Sequence, residues 1–225
     1  DVRTRLLGGG LIPEKCEVIL NGVNCEGLGP RSGETRRRVR EELGAGPDEL
    51  LVVTLGRLTP QKAHHHVITI AAQLRDRHPQ LRYAIVGEGG RMEELAELIR
   101  TNKVEDRVRL MGLRSDAPDL LGSADLYLSC SDWEGLPLST IEAMAAGLPV
   151  VATRTEGSGQ LFTEDTGLVV PIGDVPAMTE AIARLAQDPA LRAQMGAAAR
   201  VRALAEFSHQ RMCAELAGLL ARVAG

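Results

Sequence analysis

Short apolar runs alternate with helical patterns along most of this chain. Runs rich in leucine or β-branched residues are predicted strands, and they cover residues 17–20, 51–55, 82–86, 108–111, 126–129, 150–152 and 168–170. Amphipathic stretches are predicted helices, and they cover residues 35–43, 65–77, 91–101, 117–121, 137–146, 175–187, 190–205 and 209–223. Strand and helix signals that alternate in this way indicate β-α units around a parallel sheet. The sequence therefore predicts an α/β fold with helices flanking the sheet and a helical C-terminus.

Charge and composition exclude several classes of protein. With 225 residues the chain has room for one large or two small domains, and its net charge of -4 gives no footprint for nucleic acid. The densest basic run is predicted to be a solvated helix face, because Glu34, Glu41 and Glu42 lie on either side of it; it consists of Arg36, Arg37, Arg38 and Arg40.

No apolar stretch reaches the ~20 residues that a membrane span needs, and no signal peptide opens the chain. We therefore expect a cytoplasmic protein. Its four cysteines lack the spacing of a metal site or redox motif, which predicts reduced thiols.

Two glutamates bracket a predicted helix start in the segment 131–152. Glu134 precedes the helix, Pro137 suits its first turn, and Glu142 falls in its second turn. The free amides and the positive end of the helix dipole lie between the two carboxylates, where a phosphate is favoured. Carboxylates beside an anion site suit a ligand that carries both phosphate and hydroxyl groups. A nucleotide sugar is such a ligand.

The loops that follow the predicted strands carry further candidates, since ligands of open α/β sheets bind at the carboxyl ends of strands. Arg57 and Lys62 follow the strand 51–55 and could together hold a diphosphate, although two solvated loop cations are the alternative for this segment alone. The GEGG segment at 87–90 permits close backbone approach to a ligand but lacks the spacing of a dinucleotide fingerprint. The loop after residue 111 is suited to hold a base through its main chain.

Six segments in order carry a resemblance to a known family. They are NGV at 21–23, GRLTPQK at 56–62, IVGEG at 85–89, VRLMGLRSDAPDLLGSADLYL at 108–128, the glutamate-bracketed segment, and TGLVVPIGD at 166–174. The chain resembles the C-terminal, nucleotide-sugar-binding half of a retaining glycosyltransferase of group 1, also called family 4, with the GT-B fold. That resemblance implies a Rossmann-like sheet.

The resemblance also implies a role for each matching residue. Arg57, Lys62 and Glu134 would be the catalytic set: the two cations would hold the donor diphosphate, and Glu134 would contact hydroxyls of the donor sugar. Glu142 would accept hydrogen bonds from the ribose. The remaining donor-binding positions would act mainly through backbone, at the phosphates or the base; they are Gly56, Gly87, Gly89, Leu113, Arg114, Leu136, Pro137, Leu138 and Ser139. A nucleoside-diphosphate sugar would be the donor, and neither a metal nor another cofactor is expected.

Four further features of the sequence are considered separately. Ala63 stands where the family usually has glycine, and Gln160 stands where relatives commonly have glutamate. Trp133 could stack on a sugar or support the turn before the helix. The triplet His64 to His66 is not expected to bind a metal, because adjacent helical residues point in different directions.

The predicted domain organisation is that of half an enzyme. Residues 1–33 would be a linker, residues 34–207 the nucleotide-sugar-binding domain, and residues 208–225 a helix that packs toward a missing N-terminal acceptor domain and exposes apolar surface here. The chain begins at Asp1 without methionine, so we expect a fragment or excised domain that does not transfer sugar alone. Any membrane contact would be peripheral and made through the missing half.

Two alternatives to a transferase stay open at this point. One is a noncatalytic nucleotide-sugar-binding module, and the other is a GT-B-like sugar-nucleotide epimerase, which would need acid-base groups beyond the two glutamates. The base (UDP, GDP or ADP), the donor sugar and the acceptor are also open.

Overall fold

A single parallel sheet organises the protein. The computed structural model describes residues 17–224, and its six strands lie in the order β3-β2-β1-β4-β5-β6. Every neighbouring pair is parallel. The strands are β1 Leu50–Leu55, β2 Leu81–Val86, β3 Val108–Leu110, β4 Leu126–Ser129, β5 Val150–Thr153 and β6 Leu168–Val170. This is the Rossmann-like order, with a switch point between β1 and β4.

Helices connect the strands and cover the sheet. They are α1 Gly33–Leu43, α2 His65–Leu74, α3 Met92–Thr101, α4 Ala117–Ser123, α5 Leu138–Ala145, α6 Ser158–Leu161, α7 Val175–Gln187, α8 Pro189–Glu206 and α9 His209–Ala224, together with a 3-10 turn at Pro60–Lys62. One hydrophobic core lies under α1, α4, α5 and α8, and a second lies under α2, α3 and α7. Because both faces are covered, strands such as β5 are buried along their whole length.

The predicted elements after residue 34 are confirmed, and their ends differ from the predicted ones by at most three residues. The strand predicted at 17–20 is wrong, because those residues have no regular structure. Val18 is largely exposed, and the segment leads past the start of α9, where Gly22 N donates to Met212 Sδ. Only Val23 forms an isolated bridge, to Ser208.

The prediction that the basic run of α1 is a solvated face is wrong for Arg36 and Arg40. Arg40 is only 4 % exposed, and its Nη1 lies 2.7 Å from Oδ2 of Asp125. Arg36 Nη2 lies 2.7 Å from the other oxygen of the same carboxylate. These contacts fasten α1 to the turn before β4, so this part of the basic run is structural.

The last helix, α9, buries none of its residues, and Leu216, Leu220 and Val223 are exposed. The prediction of exposed apolar surface on this helix is therefore confirmed. Within residues 17–224 no helix is long and apolar enough to cross a membrane. Cys25, Cys130 and Cys213 are free thiols. Cys16 lies outside the described residues, as does the first half of the predicted linker 1–33. The part of the linker at 17–32 forms no helix or strand.

Candidate functional site

The site predicted from the sequence gathers at the sheet's switch point. The loop after β1 carries Lys62 and the loop after β4 carries Glu134, and Nζ of Lys62 lies 2.5 Å from Oε1 of Glu134. Ser131 donates its hydroxyl to the same oxygen at 2.8 Å. The side chains of Lys62 and Glu134 are 17 % and 10 % exposed. A cation and a carboxylate that were predicted separately thus form one partly shielded unit.

Hydrogen bonds to backbone carbonyls hold these two loops together. Gln61 Nε2 donates to the carbonyl of Trp133 at 2.8 Å, and Asp132 N donates to the carbonyl of Gln61 at 2.9 Å. On the other side, Gly157 N donates to the carbonyl of Glu134 at 3.1 Å. The position of Glu134 is therefore set by the loops after β1 and β5 as well as by its own.

Arg57 lies on the same loop as Lys62, but its side chain is more exposed and is not part of the ion pair. Its side chain is exposed and has no hydrogen-bond or ion-pair partner within residues 17–224. It lines an open cavity of about 280 Å³; the other lining residues are Leu55, Gly56, Val86, Gly87, Glu88, Leu113 and Arg114. A guanidinium in this position is available to an anionic ligand.

The predicted glycines allow the loops after β1 and β2 to touch. Gly87 has φ +144°, and a Cβ placed on it would lie 2.0 Å from the carbonyl oxygen of Gly56. Gly89 has φ +155°, and its Cβ would lie 2.5 Å from the carbonyl oxygen of Leu58. No other residue fits these two positions without moving the loop that carries Arg57.

The side chain of Arg114 is already engaged. It donates to both oxygens of Asp116 at 2.9 and 2.8 Å and to Glu42 at 2.7 Å. These hydrogen bonds to Asp116 and Glu42 raise the pKa of Arg114 above its usual range. Leu113, beside Arg114 in the cavity lining, is exposed, and its backbone contact to a base stays a prediction.

The N-terminus of α5 faces the same edge of the sheet. Pro137 occupies the N-cap position, so the helix begins at Leu138, one residue later than predicted. No side chain caps these first amides, although Asp174 caps α7. Tyr127 Oη donates to Oγ of Ser139 at 2.9 Å. Within the described residues the first turn of α5 therefore keeps backbone amides that can donate to an anion.

Glu142 lies in the second turn of α5, as predicted, and is half-buried. Burial raises the pKa of its carboxyl above the usual value. Within residues 17–224 no side chain or amide bonds to that carboxylate. A partly desolvated carboxylate without a protein partner is suited to accept hydrogen bonds from a ligand's hydroxyls.

The four features that the sequence analysis considered separately have different environments in the structure. Ala63 is fully buried with φ 46°, a left-handed conformation that costs about 1 kcal/mol for a residue other than glycine. Trp133 is 59 % exposed, so it does not support the turn by packing. Arg202 Nη2 donates to the backbone carbonyl of Gln160 at 2.9 Å. Around His64 to His66, as elsewhere in the described range, no group of three or more potential ligands could hold a metal ion.

Three site residues were missed by the sequence reasoning. Ser131 orients Glu134, Gln61 ties the two loops, and Tyr127 bonds to Ser139 from beneath α5. All three fall inside the segments that carry the family resemblance, so their position was the available signal. Tyr127 also belongs to the predicted strand 126–129.

A larger cavity, of about 670 Å³, lies elsewhere, beside the edge strand β6. Its charged lining residues include Arg154, Arg184 and Glu180, and Glu180 is bound to Arg77. The switch point is the candidate site instead, because the loops that meet there carry the shielded ion pair of Lys62 with Glu134 and the exposed Arg57, whose side chain has no partner within residues 17–224.

Comparison with known proteins identifies the family. The profile of the family "Glycosyl transferases group 1" matches residues 35–202. This chain belongs to the group 1 glycosyl transferases, and its fold is that of the C-terminal half of the GT-B architecture.

Individual relatives agree with this assignment. The chain is 30 % identical over 185 residues to the UDP-Gal:alpha-D-GlcNAc-diphosphoundecaprenol alpha-1,3-galactosyltransferase of Escherichia coli, covering 80 % of this chain and 47 % of that protein. It is 35 % identical over 209 residues to a GDP-mannose-dependent alpha-(1-6)-phosphatidylinositol monomannoside mannosyltransferase of Mycolicibacterium smegmatis, covering 88 % and 54 %. The crystal structure of Anabaena Alr3699/HepE in complex with UDP superposes with a TM-score of 0.90 at 26 % identity, covering 98 % and 61 %. The chain thus spans about half the length of the curated relatives it matches.

Proposed function

We propose that this chain is the donor-binding part of a retaining glycosyltransferase, which moves a sugar from a nucleoside-diphosphate sugar to a glycan, lipid or small-molecule acceptor. The observation that carries the proposal is the contact of Lys62 with Glu134 at the switch point, on the loop that also carries Arg57, whose guanidinium has no partner within residues 17–224. Structures similar to this chain were solved with UDP and with UDP-glucose, which supports a nucleotide sugar as the donor.

Each part of the site has a role in this reaction. Arg57, Lys62 and the uncapped amides of α5 would hold the diphosphate, and Glu142 would hold the ribose. Negative charge grows on the leaving diphosphate as the bond to the sugar breaks. Fixed cations and amides that face this charge lower the barrier, because they are already oriented before the reaction starts.

Retention follows if the leaving diphosphate acts as the base. The acceptor hydroxyl would bond to the anomeric carbon on the face that the phosphate oxygen leaves, and its proton would pass to that oxygen. Glu134 is a poor candidate for a covalent nucleophile, because Lys62 and Ser131 already bind its Oε1. Its proposed role is to orient hydroxyls of the donor sugar.

Acceptor binding would require an N-terminal domain beyond this chain, because the chain covers only about half of its relatives. The proposed contact with that domain includes α9, whose apolar residues are exposed. We therefore expect the chain to bind the donor but not to transfer sugar alone.

Titration calorimetry with UDP, GDP and ADP tests the donor-binding part of the proposal. Binding of at least one nucleotide that weakens on Glu142→Ala supports it, and absence of binding for all three contradicts it. Transfer is tested by joining the chain to the acceptor domain of a relative and following product by NMR. A product with the donor's anomeric configuration supports retention; donor binding without transfer supports a noncatalytic module.

A further inference from the structure

His64 is buried beneath the loop after β1, which carries Arg57 and Lys62. It is 2 % exposed and follows Lys62 and Ala63 in the chain, whereas the next two histidines of the triplet are half-buried. The backbone of Gly56 and of Arg57 lies close enough to favour an N–H on its ring. Yet neither ring nitrogen has a hydrogen-bond partner of normal geometry within residues 17–224.

A buried imidazole without a partner lowers stability, so its presence needs an explanation. Burial, together with the nearby positive charges of Lys62 and Arg91, lowers the pKa of His64 to about 4, although the backbone of Gly56 and Arg57 acts in the opposite direction. The ring is therefore neutral at pH 7 and carries one N–H donor. That donor lies under the turn from which Arg57 projects.

Backbone hydrogen bonds anchor the turn above His64, including one from Thr59 N to the carbonyl of Arg57 at 2.9 Å, but none of them holds the Arg57 side chain. Gly56 N donates to the carbonyl of Val86 at 3.0 Å, and Leu58 N donates to the carbonyl of Glu88 at 2.8 Å. The Arg57 side chain between them has no anchor in the described part of the chain. A support from beneath would fix the direction of this guanidinium.

Building on the proposed function, we propose that His64 is a positioning residue: its ring N–H bonds to the backbone carbonyl of Gly56 or Arg57 and sets Arg57 against the donor diphosphate. Hydrogen bonds of this kind are often long before a ligand binds and tighten in the complex. This accounts for a polar ring at a place where an apolar side chain would pack at less cost.

Three substitutions test this role in the chain as it exists. His64→Phe keeps a ring but removes both nitrogens, His64→Asn keeps a donor near the place of Nδ1, and His64→Gln keeps one near the place of Nε2. His78→Phe is the matched control, because His78 is also buried but follows α2 at the opposite end of β2. Thermal midpoints and affinities for UDP, GDP, ADP and pyrophosphate are measured for each variant.

We expect His64→Phe to weaken diphosphate binding by about three- to tenfold, the ratio that one hydrogen bond gives, with an unchanged or higher thermal midpoint. One of the two amide variants should restore most of the affinity, which a merely structural role would not predict. His78→Phe should leave affinity unchanged. Wild-type affinity in His64→Phe would overturn the proposal.

Amide hydrogen exchange separates this proposal from the proposed function. If the wild-type chain binds none of the four probes, the proposed function fails, yet exchange at residues 56–62 still tests His64. Faster exchange there in His64→Phe, at equal global stability, supports the positioning role. Equal exchange in the two proteins contradicts it.

Discussion

Nζ of Lys62 lies 2.5 Å from Oε1 of Glu134, although 72 positions separate the two residues in the chain. The contact joins the loops on either side of the switch point, where an open α/β sheet places its ligand. A donor diphosphate that binds Lys62 would share its ammonium group with the carboxylate of Glu134. Lys62 and Glu134 should therefore not contribute independently to binding.

Glu134→Gln should separate binding of the nucleotide from binding of the sugar. Removing the negative charge frees Lys62, so affinity for UDP or GDP should stay equal or rise. Affinity for the matching nucleotide sugar should fall, by about tenfold for a lost hydrogen bond to a charged group. Calorimetry with UDP and UDP-glucose, or GDP and GDP-mannose, measures both. An equal loss for nucleotide and nucleotide sugar would contradict a sugar-orienting role.

Lys62→Ala should harm both stability and binding. It leaves Glu134 partly buried without its cation, which should lower the free energy of unfolding by about 2 kcal/mol. Urea unfolding measures this change. In the double variant Lys62→Ala with Glu134→Ala, the loss of stability should be smaller than the sum of the single losses, and additivity would show that the pair is uncoupled.

Arg57→Ala should reduce affinity without reducing stability. The side chain is exposed and partnerless within residues 17–224, so its removal leaves no buried charge unpaired. Loss of a charged hydrogen bond to phosphate should weaken nucleoside diphosphate binding by about ten- to a hundredfold. Arg37→Ala is the control, because Arg37 is equally exposed but lies on α1, and it should bind as the wild type does. A large shift of the melting temperature in Arg57→Ala would argue against a role confined to the ligand.

Glu142→Gln should increase stability at neutral pH while it weakens nucleotide binding. Burial raises the carboxyl pKa above the usual 4.5, so the folded state holds the proton more tightly than the unfolded state does. The wild type's free energy of unfolding therefore falls as pH rises from the usual pKa through the raised one, and glutamine lacks this dependence. Unfolding curves between about pH 4 and pH 8 should show the two proteins converging at low pH. A variant that binds nucleotides normally would exclude Glu142 from the ribose contact.

A feature of this structure can be predicted from the sequence when the residues that determine it lie close together in the chain. Strands β1 to β6 were predictable because a run of apolar residues buried on both faces is a local pattern. The arginines of α1 were misinterpreted for the opposite reason. Arg40 looks like its exposed neighbours in the sequence, and its partner Asp125 lies 85 positions away, beyond any periodicity.

The same distinction applies to the site. Arg57, Lys62, Glu134 and Glu142 were predicted from motifs, and the strand order brings the first three to one edge of the sheet. Their electrostatic states were not predictable, since the pairing of Lys62 with Glu134 depends on β1 and β4 lying side by side. The burial of His64 likewise results from packing that no local pattern reports.

Gly87→Ala should disrupt the loop that carries Arg57. The new Cβ would lie 2.0 Å from the carbonyl oxygen of Gly56, and the backbone conformation at φ +144° is one that alanine rarely adopts. We expect a loss of about 2 kcal/mol or more in stability and weaker nucleotide binding. Gly90→Ala is the matched control, because nothing lies within 4 Å of its Cβ, and it should be close to neutral. Similar behaviour of the two variants would contradict the close contact between the loops.

Asp125→Ala should destabilise the fold while leaving the site's chemistry intact. The carboxylate bonds to Arg36, to Arg40 and, at 2.8 Å, to the backbone N–H of Leu51 at the start of β1. Its removal leaves the buried Arg40 without its counter-charge, which should cost about 3–5 kcal/mol, measured by urea unfolding. Glu97→Ala removes an exposed ion pair with Arg100 and should change stability by less than about 1 kcal/mol. Because Asp125 lies before β4, opposite the site at its carboxyl end, nucleotide affinity of the folded variant should stay at the wild-type value. A selective loss of affinity at unchanged stability would reverse this assignment.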